Sequence, residues 1–118
     1  MNVIIIGGGA SGVLNALYLK KLNKNLKVTI LEKNERILKK LMKTGNGRCN
    51  ISNSNMNASF YNNHEFIERL YTKFPPDNVI EYFNSIGLLT KNDSSSRLYP
   101  YSESAKTVID VPARCSRR

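Results

Sequence analysis

Ten residues near the amino terminus constrain this chain more than any others: Val3-Ile4-Ile5-Ile6-Gly7-Gly8-Gly9-Ala10-Ser11-Gly12. A β-branched run meets three glycines in G-x-G-x-x-G order, and an apolar segment follows. A second apolar run, Val28-Thr29-Ile30-Leu31, ends in Glu32. The acid stands about 20 residues past the last glycine, the spacing of a dinucleotide-binding β-α-β unit. The two strands of such a unit are parallel and their connection is right-handed.

Each residue type has a task there. Gly7 turns the chain sharply off the first strand. Gly9, without a side chain, lets backbone approach a pyrophosphate, and Gly12 lets the helix pack closely on the strand. The helix is expected to open near Ala10 and Ser11, so its free N–H groups and positive dipole end face the phosphates. That dipole contributes about 0.3–1 kcal/mol at an exposed site. Glu32 is placed to accept hydrogen bonds from the adenosine ribose. The bland alternative is a glycine-rich turn with Glu32 merely solvated.

The 118 residues suffice for one modest domain and one core, and 41% hydrophobic content makes it globular. A net charge of +9 raises the question of nucleic acid or membrane surfaces. The lysines crowd between Lys20 and Lys43 without interleaved aromatics or any nucleic-acid motif. They read as a solvated face, and no nucleic-acid or membrane partner is expected. Two cysteines and one histidine, without metal spacing, exclude a structural zinc site and fit a reduced, cytoplasmic setting. The apolar start lacks a basic flank and is broken by glycine, so it reads as a strand buried on both faces rather than a signal peptide.

Val13 to Leu22 is apolar nearly all round, the pattern of a helix lying under other structure. Lys33 to Lys43 repeats apolar residues at helical spacing and predicts a short helix or helical turn. Thr44 to Asn53, rich in Gly, Asn and Ser, is loop. Glu65 to Phe74 sets Phe66, Ile67, Leu70 and Phe74 on one helical face. Pro75-Pro76 stops that helix, and Pro76 and Asp77 open another, which Gly87 ends. This predicts an αα-hairpin whose aromatics are core. Strand candidates at 88–91 and 97–99 flank a polar turn and suggest a hairpin or a solvent loop. A last helix is expected over 102–111, with Ser102 as N-cap and Pro112 interrupting it.

The glycine fingerprint at 7–12, Glu32, and the block Gly47-Arg48-Cys49-Asn50-Ile51-Ser52-Asn53 together resemble the HI0933-like flavoproteins. These are NAD(P)/FAD-dependent oxidoreductases, also described as the aminoacetone oxidase family of FAD-binding enzymes. Arg97-Leu98-Tyr99-Pro100 and the run to Val111 resemble the continuation of that family. The resemblance implies FAD in this first fold, with NAD(P)H as an electron donor in the complete protein. It implies a Rossmann-like unit, a helical hairpin, and a doubly wound sheet left incomplete. It places the pyrophosphate over Gly7, Gly8, Gly9, Ala10, Ser11 and Gly12, and the ribose at Glu32. Lys33, Lys40, Gly47, Arg48, Cys49 and Asn50 are implied along the cofactor. Cys49 has no resolving cysteine or activating histidine in its sequence neighbourhood and reads as a packing or cofactor contact. His64 reads as a helix-start residue, and no general acid or base stands out.

Members of this family are several-fold longer. Residues 1–111 read as the N-terminal part of an FAD-binding domain. Residues 112–118, rich in arginine where the preceding chain favours lysine, read as an aberrant or disordered tail left by truncation or a frame shift. The expected product is the FAD-binding portion of an oxidoreductase, inactive alone, with its small-molecule substrate met in the full-length protein. Open sheet edges allow self-association. The alternative is a non-catalytic nucleotide-binding or assembly module completed by another polypeptide.

Overall fold

The computed structural model describes the backbone of residues 1–115 and the side chains of residues 1–112. Strands β1 (Asn2–Ile6) and β2 (Lys27–Leu31) pair in parallel, from Asn2 opposite Lys27 to Ile6 opposite Leu31. Helix α1 (Ala10–Leu22) connects them and packs on both. This is the β-α-β unit that the fingerprint dictates. Among the described residues the sheet has two strands, and only the face under α1 is covered. Val3, Ile5, Val28 and Ile30 are half-buried beneath α1, whereas Ile4 is 66% and Ile6 88% exposed. The expectation of a strand buried on both faces is therefore corrected: among the described residues no second layer covers it. Helix α1 is likewise less covered than its apolar sequence suggests. Gly12 and Val13 are buried, but Tyr18 and Leu22 face solvent.

Of the short helix or helical turn expected over 33–43, only turns form and no α-helix does. The backbone N–H of Leu38 donates to the Gly8 carbonyl at 2.7 Å, and Leu38 takes a left-handed φ of 58°. That tertiary bond captures a donor a helix would need, and a left-handed residue cannot propagate a right-handed helix. The chain then makes 3₁₀ turns over Leu41–Gly47, broken by non-helical backbone at Thr44, Gly45 and Asn46. Within the expected loop lies one short strand, β3 (Ser52–Asn53).

Strands β4 (Thr90–Asn92) and β5 (Arg97–Pro100) form a hairpin, the first of the two outcomes the sequence left open, and β3 adds to its other side in the order β3-β5-β4. Asp93 fixes the turn. Its carboxylate accepts from the Ser95 and Arg97 backbone N–H groups and pairs with the Arg97 guanidinium at 2.8 Å. Helix α2 (His64–Lys73) is capped by the Asn63 side chain, which accepts from Phe66 N–H at 3.2 Å. Helix α3 (Pro76–Ser85) opens on Pro76, and Gly87 follows it with φ +82°. The two helices lean on other elements, α2 on the 3₁₀ turn Ala58–Phe60 and α3 on β4. Phe66 and Phe74, expected in the core, are each 59% exposed.

Helix α4 (Ala105–Cys115) begins later than expected and runs through Pro112. Glu103 N–H donates to the Pro100 carbonyl and Glu103 has φ 51°, so a turn occupies the place given to the first helical residues. The Ser102 hydroxyl bonds the Thr107 hydroxyl at 2.7 Å instead of capping the backbone. Pro112 costs the helix one ladder hydrogen bond without ending it. The last three residues of the expected tail, 116–118, lie outside the described residues. The core gathers where β5, α4 and the 41–49 segment meet, with Leu88, Leu98, Tyr99, Ala105 and Val111 buried.

Candidate functional site

The glycine turn is held from two sides. Gly7, at φ +98°, donates its N–H to the Leu31 carbonyl at 2.7 Å, which ties the end of β1 to the end of β2. Gly8 N–H donates to Glu32 Oε2 at 2.7 Å. A Cβ at Gly8 would meet Ile37 Cγ2 at 2.5 Å, and one at Gly12 would run into the Gly7 carbonyl oxygen. These two glycines answer to the protein's own packing. Gly9 differs: a Cβ there would meet nothing within 4 Å. The space in front of Gly9 is open, as a backbone cradle for a ligand requires.

Gly9 is also the residue before α1. No side chain caps the helix, and its first turn carries no acid. The uncapped N–H groups and the positive dipole end therefore remain available to an anion. Glu32 is engaged on both oxygens. Oε1 accepts from Asn34 N–H at 2.9 Å and from the Asn34 side-chain amide, while Oε2 accepts from Gly8. The Asn34 backbone N–H first, then that of Gly8, hold the carboxyl below its ordinary range, so it is ionised at neutral pH.

These groups open on one cavity of about 820 Å³, within the range of small-molecule and cofactor sites. Gly8, Gly9, Ala10, Ser11, Glu32, Lys33, Lys40, Cys49 and Asn50 all line it. The structure thus brings together nine expected residues from three separate stretches of chain. Four others stand behind the wall. Gly7 and Gly12 shape the turn, and Gly47, at φ +83°, shapes the loop. Arg48 does not line the cavity. Its guanidinium lies 4.6 Å from the centre of the Tyr99 ring and 3.8 Å from Glu103 Oε1.

The Arg48 stack explains the shape of the loop. Gly45, Asn46, Gly47 and Cys49 all have positive φ, and Cys49 N–H donates to the Thr44 carbonyl at 3.0 Å. The segment is pinned over Tyr99 with Cys49 only 3% exposed. Burial pushes the Cys49 thiol up, against a smaller opposing pull from Thr44. It is neutral at physiological pH and poor as a nucleophile. His64 opens α2, as expected, and does not line the cavity.

Sequence reasoning missed the apolar half of the wall. Leu14 and Leu17 of α1, Phe83 and Ile86 near the end of α3, and Val108 and Val111 of α4 all line it. Their periodicity marked them only as apolar faces; which face meets a cavity is decided by packing. Arg36 and Lys39 join Lys33 and Lys40 at the wall. None of the four has an acidic partner within ion-pair distance among the described residues. The cavity therefore offers an anion-favouring glycine turn, a cationic rim, one ionised carboxylate and an apolar floor.

The sequence model of the family described as HI0933-like protein Rossmann domain matches residues 1–117. A 3-dehydro-bile acid delta(4,6)-reductase of Clostridium scindens is 40% identical over 109 residues, covering 91% of this chain and 26% of the reductase. A ribosomal RNA dihydrouridine synthase of Haemophilus influenzae is 26% identical over 110 residues, covering 92% of this chain and 27% of the synthase. The chain thus spans about a quarter of the length of these curated relatives.

Proposed function

This chain belongs to the HI0933-like Rossmann-domain family of flavin-type oxidoreductases, and we propose that it is the FAD-binding N-terminal portion of such an enzyme. One observation carries the reading. The open space at Gly9, the uncapped start of α1 and the ionised Glu32 all face a single cavity with an apolar floor. These residues fit a dinucleotide. The backbone from Gly8 to Ser11 would hold its pyrophosphate and Glu32 its ribose hydroxyls. Lys33 and Lys40 would supply positive charge, and Cys49 and Asn50 would form the wall opposite the glycine turn.

When bound, FAD supplies hydride and electron transfer; the protein positions it and excludes water. In the complete protein, NAD(P)H or a reduced substrate would be the donor. One relative is named a reductase and the other a dihydrouridine synthase. We carry over only that shared reductive sense; a small-molecule substrate, as in the first relative, and a cytoplasmic setting in keeping with the free Cys49 thiol complete our reading. The chain alone is expected to lack turnover. Glu32 is the one carboxylate lining the cavity among the described residues, and it is committed to Gly8 and Asn34.

That commitment also favours a second reading, a nucleotide-binding module without catalysis. Ultraviolet–visible titration with FAD, run beside ADP, separates the two. A flavin band retained through gel filtration, displaced only weakly by ADP, supports the first. Equal binding of FAD and ADP supports the second. No binding of either removes both.

A further inference from the structure

Away from the nucleotide cavity, three hydroxyl groups converge on one thioether. The sulfur of Met56 lies 3.5 Å from Ser52 Oγ, 3.7 Å from the Tyr71 hydroxyl and 3.8 Å from the Tyr61 hydroxyl. Ser52 belongs to β3, Tyr61 follows the 3₁₀ turn at 58–60, and Tyr71 belongs to α2. The two tyrosine hydroxyls are 3.1 Å apart, so they reach the sulfur from one side. The bond to Tyr61 first, then burial, holds the Tyr71 phenol above its ordinary range, so it remains a donor at neutral pH. A thioether is only a weak acceptor, and these contacts are roughly 1 Å longer than an ordinary O–H···O bond. Three donors thus face a group that uses them poorly, with room between for an oxygen atom. Met56 is half-buried and, with Ser52 and Tyr61, lines a second cavity of about 460 Å³ through which a small oxidant can enter. Ile51 lines both cavities and is the wall they share.

We propose that Met56 is an oxidation site whose sulfoxide is held by the Ser52, Tyr61 and Tyr71 hydroxyls, fastening β3 to α2. The oxidant is hydrogen peroxide. A sulfur lone pair attacks one peroxide oxygen, the O–O bond breaks, and the departing hydroxide takes the proton of the transferred oxygen and leaves as water. The thioether is oxidised by two electrons and the peroxide is reduced. Methionine oxidation ordinarily disrupts packing, because it sets a polar, chiral group among apolar ones. At Met56 the new oxygen meets donors already in place, and a satisfied polar group carries no desolvation penalty. Its handedness is set as well, since the tyrosines approach from one side only. Met1 and Met42 are the contrast: they are 93% and 48% exposed, and no hydroxyl among the described residues bonds either sulfur. The proposal does not depend on which nucleotide fills the other cavity.

The test treats the full chain with hydrogen peroxide at neutral pH and reads oxygen uptake at each methionine by peptide mass spectrometry. The peptides are then exposed to the two methionine sulfoxide reductases, each specific for one epimer. Met56 sulfoxide should be repaired by one of them by roughly tenfold over the other, whereas Met1 and Met42 should yield both epimers. Oxidation should leave the parent's melting midpoint unchanged or higher, with oxidised Met56→Leu protein as the control for the other methionines. In a Tyr61→Phe/Tyr71→Phe protein, which keeps both rings and loses both donors, oxidation should lower the midpoint and the Met56 epimers should approach equality. Equal epimers at Met56 in the parent overturn the proposal, as does a parent midpoint that falls as far as the double variant's. A Met56 that stays unoxidised after Met1 and Met42 have reacted also overturns it. None of these readouts uses nucleotide, so failure here is distinct from failure to bind FAD.

Discussion

At the residue scale the three fingerprint glycines are not equivalent, and the difference is measurable. Gly12→Ala sets a methyl group against the Gly7 carbonyl, so it should destabilise the fold by about 1–3 kcal/mol, as overpacking does. Denaturant melts without ligand read this directly. Gly9→Val meets open space, so the same melts should be unchanged while FAD retention is lost. Glu32 links the two effects, since it braces Gly8 N–H and faces the cavity. Glu32→Ala should weaken FAD binding by roughly tenfold or more. Its folded pKa lies below the ordinary 4.5. The stability it contributes is therefore present above that value and lost as pH falls through the lower, folded one. An acid titration of the Glu32→Ala protein against the parent should differ at neutral pH and converge in acid.

At the scale of elements, the 44–50 loop is a small rigid body whose arginine works behind the wall. Arg48→Ala and Tyr99→Leu should each cost stability, and the double variant should cost less than their sum, because both remove one stacked pair. The cation–π part is about 0.5–1 kcal/mol or somewhat more, since Tyr99 is buried and Arg48 half-exposed. Independent, additive effects would show that Arg48 is held by something else. The same loop buries Cys49 and raises its pKa above the ordinary 9.0. Alkylation at pH 7.5 should be far slower than for a free thiol, gaining speed only once the pH passes 9. Rapid labelling of Cys49 at neutral pH, read in a Cys115→Ser protein, would contradict the buried geometry.

Taken as a whole molecule, the chain is a Rossmann-type unit whose cavity wall is better covered than its parallel sheet. The buried residues cluster at β5, α4 and the 41–49 segment, beside the cavity, while one side of the parallel sheet stands in water. Marginal, weakly cooperative unfolding is the expected result, with the β1–β2 region exchanging first. Bound FAD should raise the melting temperature in a concentration-dependent way, since it binds only the folded form. A melt insensitive to FAD at saturating concentration would count against the assigned site.

The sequence by itself determined the β-α-β unit, the glycine turn and the acid in register, and it narrowed the stretch around Asp93 to a hairpin or a loop. Each of these rests on short-range chemistry: φ angles that only glycine takes easily, an alternation of apolar runs, a carboxylate two residues from the N–H groups it accepts. The tertiary structure alone decided that residues 33–43 would not be a helix, because Gly8, thirty positions earlier in the chain, takes the Leu38 N–H. It also decided that Arg48 would face Tyr99 rather than the cavity, and that Phe83, Val108 and Val111 would line it. Local pattern reports which side of an element is apolar. What that side meets depends on contacts between residues far apart in sequence, and in the β1–β2 sheet the outer apolar side meets solvent.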